Sequence, residues 1–351
     1  MSVIPAETVL RLSGPPDVLA ALPYLVGFPP TESVVAIGLH GRRKRLRVTL
    51  RVDLAGAEAA VADGLVEAPS HPAALAAALS RAGASRVVLV VVTDRAEEGL
   101  TAADLVSVLA GELEARRIEV EDAVLARGDR WFSYLCHNPA CCPPEGTPLP
   151  GDDRVAAELA LAGEAPFRSR ADVEALVAPE QGIRRQAVEA AVDALLAVGP
   201  SGPDAVDERT SLRTAFRTVV SGRPLEAQNA ALCLLWLTGS HVRDACLNPT
   251  TGPEGEAALR LWCELARLAP ADLVSAPATL AAFVALCRGQ GALANAALDE
   301  ALADDPGYTL AQLLRHIATA GIPPSVVRGV AESSDAILAG IDGRSGGQPL
   351  G

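Results

Sequence analysis

Cys136, His137, Cys141 and Cys142 offer thiolate sulfur and imidazole nitrogen, the donor atoms that bind a zinc-class ion, inside one short segment. They belong to the stretch Arg130–Leu149, which gathers aromatic, cysteine, histidine and proline residues in a chain otherwise built mostly from Ala, Leu, Val and Arg. The spacing departs from the usual structural zinc site, whose ligand pairs come from different loops. Here two cysteines are adjacent, and adjacent side chains on extended backbone point apart. Three readings follow: a zinc site, a disulfide or redox group, or a packed turn of small thiols. In the last, Pro143-Pro144 stiffens the loop and Gly146 bends it, making a clasp between two segments of the chain. A cysteine nucleophile would need a histidine from elsewhere, and His40, His71, His241 and His316 stand in no motif.

A second set of candidates surrounds the most apolar run of the chain, Ser85–Asp94. Ligands of open α/β sheets bind at the carboxyl ends of strands, which puts Thr93 and Asp94 at a pocket edge. Asp after a strand also serves as an ordinary turn or cap residue. Glu32 and Ser33, in the loop ahead of another strand, and the aromatic pair Trp131 and Tyr134 complete the pocket candidates. The cationic group Arg42, Arg43, Lys44, Arg45, Arg47 and Arg51 suits a phosphate or acidic partner, but a solvated hairpin explains it without one.

The elements that must position these residues are of two kinds. Pro15-Pro16-Asp17 starts a helix that Gly27 ends and Pro23 shortens. Ser33–Leu39 reads as a buried strand, and Leu46–Val52 alternates apolar and polar residues as its hairpin partner. Helices over His71–Ala82 and 101–116 flank the apolar strand at 85–94, and a further strand covers Ile118–Ala126. Arg127-Gly128-Asp129 is a tight turn into Trp131–Tyr134. This predicts an α/β domain over 1–150, a mixed sheet with flanking helices, ending in the Cys/Pro-rich loop. Beyond it the spacing predicts helices near 152–163, 169–177, 180–198, 204–221, 224–238, 254–268, 276–288, 290–303 and 307–320, separated by Gly and Pro. These form an all-α domain, a bundle or repeat-like layer, over 151–340, with a disordered tail at 341–351. Gly289-Gln290-Gly291-Ala292-Leu293-Ala294 matches a relaxed dinucleotide fingerprint, but helix rather than strand precedes it, so it reads as a helix-to-helix turn. No P-loop, HExxH or paired CxxC motif is present.

With 351 residues, half of them hydrophobic, the chain can bury two cores, and an aromatic share of 3% makes those cores aliphatic. A formal charge of −13 repels phosphate backbones and argues against nucleic acid as a partner. No run approaches the roughly 18 apolar residues of a membrane span. The N-terminus lacks the basic start of a signal peptide, so the expected location is cytoplasmic, with the seven cysteines reduced.

The loop Pro23–Val35, the run Leu50-Arg51-Val52-Asp53 and the Arg130–Leu149 stretch, above all Cys141-Cys142-Pro143-Pro144-Glu145-Gly146-Thr147-Pro148, resemble the actinobacterial domain-of-unknown-function 4192 family. The resemblance extends through Gly291–Asn295. It implies an intracellular bacterial protein of unassigned role and carries over no catalytic residue. Ala294–Leu314, with Asp305-Pro306-Gly307-Tyr308, is also similar to one helix and turn of a tetratricopeptide repeat, in a single copy. The combined expectation is a non-enzymatic protein, with a small-ligand or peptide crevice in the α/β domain and a partner-binding helical domain. The alternative is an enzyme with a pocket near Asp94 and the Cys136–Cys142 loop, using zinc.

Overall fold

The computed structural model describes residues 12–96, 99–149, 154–161, 165–198, 207–247 and 252–329. The chain divides into two compact units, Met1–Arg170 with Thr319–Pro323, and Ala171–Ala318 with Pro324–Gly351. The first unit thus runs past the expected break at 150, and the expected tail at 341–351 lies outside the described residues.

The first unit contains α1 (Pro15–Val26), β1 (Ser33–His40), β2 (Arg45–Asp53), α2 (Leu54–Ala62), α3 (Pro72–Arg81), β3 (Arg86–Val92), α4 (Ala103–Ala115), β4 (Glu119–Arg127), β5 (Arg130–Ser133), β6 (Thr147–Pro148) and α5 (Arg154–Leu161). The strands form one mixed sheet in the order β2-β1-β3-β4-β5-β6. β3 and β4 run parallel, joined through α4, and the other neighbours run antiparallel.

Residues alternate across the sheet, and both faces are covered. Val34, Ala36, Val87, Leu89, Val91, Ala123 and Leu125 pack against α2, α3 and α4 through Leu54, Leu75, Leu79, Leu105, Leu109 and Leu113. Val35, Ile37, Val88, Val90 and Val124 pack against Val18 and Leu22 of α1. That double burial is why the central strands read as unbroken apolar runs. Gly38 permits the closest helix approach: a Cβ there would sit 2.8 Å from a Leu79 methyl carbon.

Two local expectations need correction. Pro23 does not shorten α1 but sits inside it, and the helix ends on left-handed Gly27 at φ 97°. Burial of Val18 and Leu22 outweighs the hydrogen bond that proline removes. The sequence reading placed no element at 54–62, where α2 stands. Its Ala, Val and Gly residues give little polar contrast for a helical period to reveal, although Leu54, Ala57 and Ala60 are buried.

The second unit is helical: α6 (Arg170–Glu174) at its boundary, then α7 (Ile183–Val198), α8 (Glu208–Val220), α9 (Ala227–Leu237), α10 (Ser240–Ala245), α11 (Gly252–Leu268), α12 (Ser275–Cys287), α13 (Gly291–Asp304) and α14 (Thr309–Thr319). α12 is apolar all round and buries every residue but Ala276, the pattern of a central helix. Asp304 closes its start, accepting from Ser275 N (2.9 Å), Ser275 Oγ (2.6 Å) and Asp272 N (2.8 Å). The Gly289–Ala294 run joins α12 to α13, the helix-to-helix turn expected of it.

Candidate functional sites: the polar sheet end and the cysteine loop

Strand register brings one row of residues to the same end of the sheet. Ser33 pairs with Asp53 on one side and Val92 on the other, Val92 pairs with Ala126, and Arg127 pairs with Arg130. The carboxyl ends of the parallel pair β3–β4 therefore share this edge with the start of β1 and the end of β2.

Glu32 organises the row. Its backbone is left-handed (φ 41°), a conformation unfavourable for a residue with a Cβ. Its carbonyl accepts the N–H of Leu54, the first residue of α2 (2.8 Å). Its carboxylate accepts from the Thr93 hydroxyl (2.7 Å) and the Asp94 N–H (3.0 Å), and pairs with Arg95 at 3.1 Å. Arg95 also pairs with Glu58 at 2.8 Å, tying α2 to the β3 exit. Partial burial opposes the Glu32 charge, but the Asp94 N–H, the Thr93 hydroxyl and Arg95 outweigh it, so its carboxyl titrates below the usual range.

A second ladder lies alongside. The Ser33 hydroxyl donates to Thr31 O (2.6 Å) and accepts from Arg51 Nε (2.9 Å). Arg51 reaches Asp53 at 2.6 Å and lies 5.7 Å from the Phe28 ring centroid, and Asp53 also pairs with Arg170 at 3.3 Å. Of the cationic cluster, Arg51 is thus turned into the sheet end, Lys44 pairs with Glu121, and Arg42, Arg43, Arg45 and Arg47 are exposed.

Trp131 and Tyr134 do not line one crevice with these groups. Trp131 packs on the α1 face, whereas Tyr134 packs on the face covered by α2–α4. The period of two along an extended strand separates residues three apart. The Tyr134 hydroxyl donates to the Thr101 carbonyl, and burial pushes its ionisation well up. By Tyr134, whose N–H donates to Ala123 O, the chain has moved down the sheet away from the Asp94 edge. The cysteine loop departs from that lower level, which separates the exit of β5 from Asp94.

The loop itself is a wound turn. The Ser133 hydroxyl accepts the N–H groups of Leu135 (3.2 Å) and Cys136 (3.0 Å). The Asn138 carbonyl accepts from both Cys141 N (3.0 Å) and Cys142 N (2.8 Å), and Asn138 Oδ1 accepts from Ala140 N (3.0 Å). Arg130 donates to Gly146 O (2.8 Å), closing the loop onto β5. Gly146 is left-handed (φ 80°), and a Cβ on it would lie 2.6 Å from the Phe132 ring, so glycine is required twice over.

This winding brings the sulfurs of Cys136, Cys141 and Cys142 within 4.8 Å of one another. The objection that neighbouring cysteines point apart holds for extended backbone; bonds from both N–H groups to one carbonyl curl the chain and put both thiols on one side. His137 is exposed and lies outside the group. The Cys136 thiol is lowered by the Asn138 N–H and its sulfur neighbours, while burial first, then the other two sulfurs, push Cys142 up to about 12. The remote Cys233 and Cys263 are buried in the helical unit and lie outside this group, and burial pushes both up to about 12.

Sequence reasoning missed Asp53, Glu58 and Arg95, and it read Arg51 only as one of the hairpin's cationic cluster, whereas Arg51 bonds Ser33 and Asp53. Each is an ordinary charged residue in sequence, and only the strand order and α2 bring them to Glu32. For Arg95 alone a signal existed, its place directly after Thr93-Asp94.

The fold and these sites define a mixed α/β unit with a polar sheet edge and a thiol-bearing loop, followed by a helical unit. Residues 15–325 match the family described as Domain of unknown function (DUF4192), and the chain belongs to that family. No curated protein and no solved structure matches the chain. Among the described residues no helix is long and apolar enough to cross a membrane.

Proposed function

We propose that the protein is a non-enzymatic, cytoplasmic binding protein whose α/β unit holds a small polar ligand at the sheet end. The observation that carries this reading is Glu32: a left-handed residue whose carboxylate gathers the Thr93 hydroxyl, the Asp94 N–H and Arg95 at the carboxyl end of the β3–β4 pair. Backbone strain is retained where surrounding structure fixes it, and it clusters at ligand clamps. A carboxylate held ionised by three donors is a weak proton acceptor, which favours recognition over acid–base catalysis. Of the carboxylates at this edge, Glu32 and Glu58 are engaged by Arg95 and Asp53 by Arg51 and Arg170, whereas the carboxylate of Asp94 is exposed to receive a cationic group, so the ligand class is an amine-bearing metabolite. Calorimetry with amino acids and polyamines, with nucleotides as the contrasting arm, tests this. Saturable binding of an amine that weakens in Asp94→Asn supports the reading; binding of nucleotides alone, or of no compound, sinks it.

A second reading, a protein partner for the helical unit, is favoured by a groove of about 540 Å³ lined by Arg243, Leu247, Asp305, Tyr308 and Leu313. Arg243 stacks 5.5 Å from the Tyr308 ring centroid, and Leu313 is 54% exposed beside them. A photo-crosslinker placed at Leu313 in cells should give one discrete adduct, lost in Tyr308→Ala; diffuse or absent adducts would remove this reading.

A further inference from the structure

The cysteine loop carries an inference independent of the sheet end. Three sulfurs from Cys136, Cys141 and Cys142 lie within 4.8 Å of one another. Three thiolates on a tetrahedral zinc, with bonds of about 2.3 Å, stand about 3.8 Å apart. Side-chain adjustments of about 1 Å would therefore close the group around one ion. A disulfide needs two sulfurs, and a hydrophobic turn needs none to converge; three convergent donors are what a metal requires.

The backbone already stands in the required shape. Ser133 Oγ holds the approach to Cys136, and Asn138 O holds both Cys141 and Cys142. Pro139, Pro143 and Pro144 restrict the remaining freedom, and Gly146 under Phe132 anchors the return. These bonds hold the backbone, so little ordering is left for the ion to impose. Thiolate donors select zinc-class ions over magnesium or calcium, which take oxygen. Cys141 is exposed, so the ion would sit at the surface.

We propose that Cys136, Cys141 and Cys142 bind one zinc ion through three thiolates, with the fourth coordination position facing solvent. Each ligand is a thiolate, so binding releases the protons of the three thiols. The open fourth position gives the ion a place for water or an external soft donor, as structural four-cysteine sites do not.

The test uses the full chain purified under reducing conditions without a metal-affinity tag. Elemental analysis should find one zinc per chain, and cobalt substitution should give a thiolate-to-metal charge-transfer band with the intensity of three thiolates. Cys136→Ser, Cys141→Ser and Cys142→Ser should each lose stoichiometric metal, whereas Cys246→Ser in the helical unit and His137→Ala should keep it. The cobalt spectrum of the unsubstituted chain needs no variant, so it decides the matter even if a serine variant misfolds. Reduced protein that takes up neither zinc nor cobalt overturns the proposal. So does a band of fewer than three thiolates, or metal retained by a Cys141→Ser/Cys142→Ser double variant. Loss of metal in His137→Ala would overturn the open fourth position.

Discussion

The polar sheet end and the cysteine loop occupy the same α/β unit and are built by opposite means. At the sheet end, residues scattered between Glu32 and Arg95 meet because β1 lies between β2 and β3, and their charged groups engage one another. In the loop, consecutive residues between Ser133 and Gly146 are wound by local hydrogen bonds until three sulfurs converge. The first arrangement is held by long-range topology, and its charged groups are paired with one another. The second is held by a turn, and its three sulfurs face one another.

The sharpest way to break this contrast is at Gly146. Alanine there must adopt a left-handed backbone and push the Phe132 ring from a contact of 2.6 Å. Left-handed strain and overpacking together predict a loss of about 2–4 kcal/mol. Urea unfolding of Gly146→Ala measures it. A loss below about 0.5 kcal/mol would mean that the ring yields freely and that the loop is not anchored by it.

Metal should separate the two regions next. Zinc at about a hundredfold excess over its dissociation constant should raise stability by about 2.7 kcal/mol, reversibly on chelation. The gain should vanish in Cys141→Ser/Cys142→Ser and persist in Glu32→Gln. Equal gains in all three proteins would place the ion elsewhere.

What the sequence disclosed follows the same division. The apolar runs 33–39 and 85–94 disclosed a doubly covered sheet because both faces of those strands are buried. The helical unit was legible from its period and its Gly/Pro links, though α10 passed unnoticed between α9 and a Pro-containing separator. The cysteine loop was legible as a set of ligand types, because its members are neighbours in sequence. Its convergence was not, since the argument from alternating side chains assumed extended backbone where Asn138 makes a turn. At the sheet end Glu32, Ser33, Thr93 and Asp94 were named from position alone, and strand register brings them to one edge. Glu58 stayed hidden because α2 shows no amphipathic period, and Arg51 was read only as a solvated cation because its strand alternates polar and apolar residues.

A smaller effect tests whether Glu32 is strained as well as engaged. Glu32→Ala loses the carboxylate and keeps the left-handed backbone (φ 41°), whereas Glu32→Gly loses the carboxylate and relieves it. The glycine variant should therefore be the more stable of the two by about 1 kcal/mol. If alanine equals or exceeds glycine, the backbone at this position carries no strain worth placing in the argument for a clamp.

The smallest effect is in pH. Glu32 titrates below its ordinary value of 4.5 in the folded chain, burial opposing and its Asp94, Thr93 and Arg95 partners prevailing. A carboxyl depressed by folding contributes stability that is present above the unfolded value and is lost as pH falls through the folded one. The stability difference between the unsubstituted chain and Glu32→Gln should accordingly be constant near neutrality and shrink below pH 4.5. The side chain is 46% exposed, so solvent screening keeps the difference below about 1 kcal/mol. Subtracting the two proteins' stabilities at each pH cancels the other carboxyls, Asp17 among them, which is also depressed. A difference that stays flat down to the acid transition would show that the Glu32 charge does not hold the sheet end together. The hydrogen bonds from Thr93 and Asp94, which glutamine can also accept, would then bear that role.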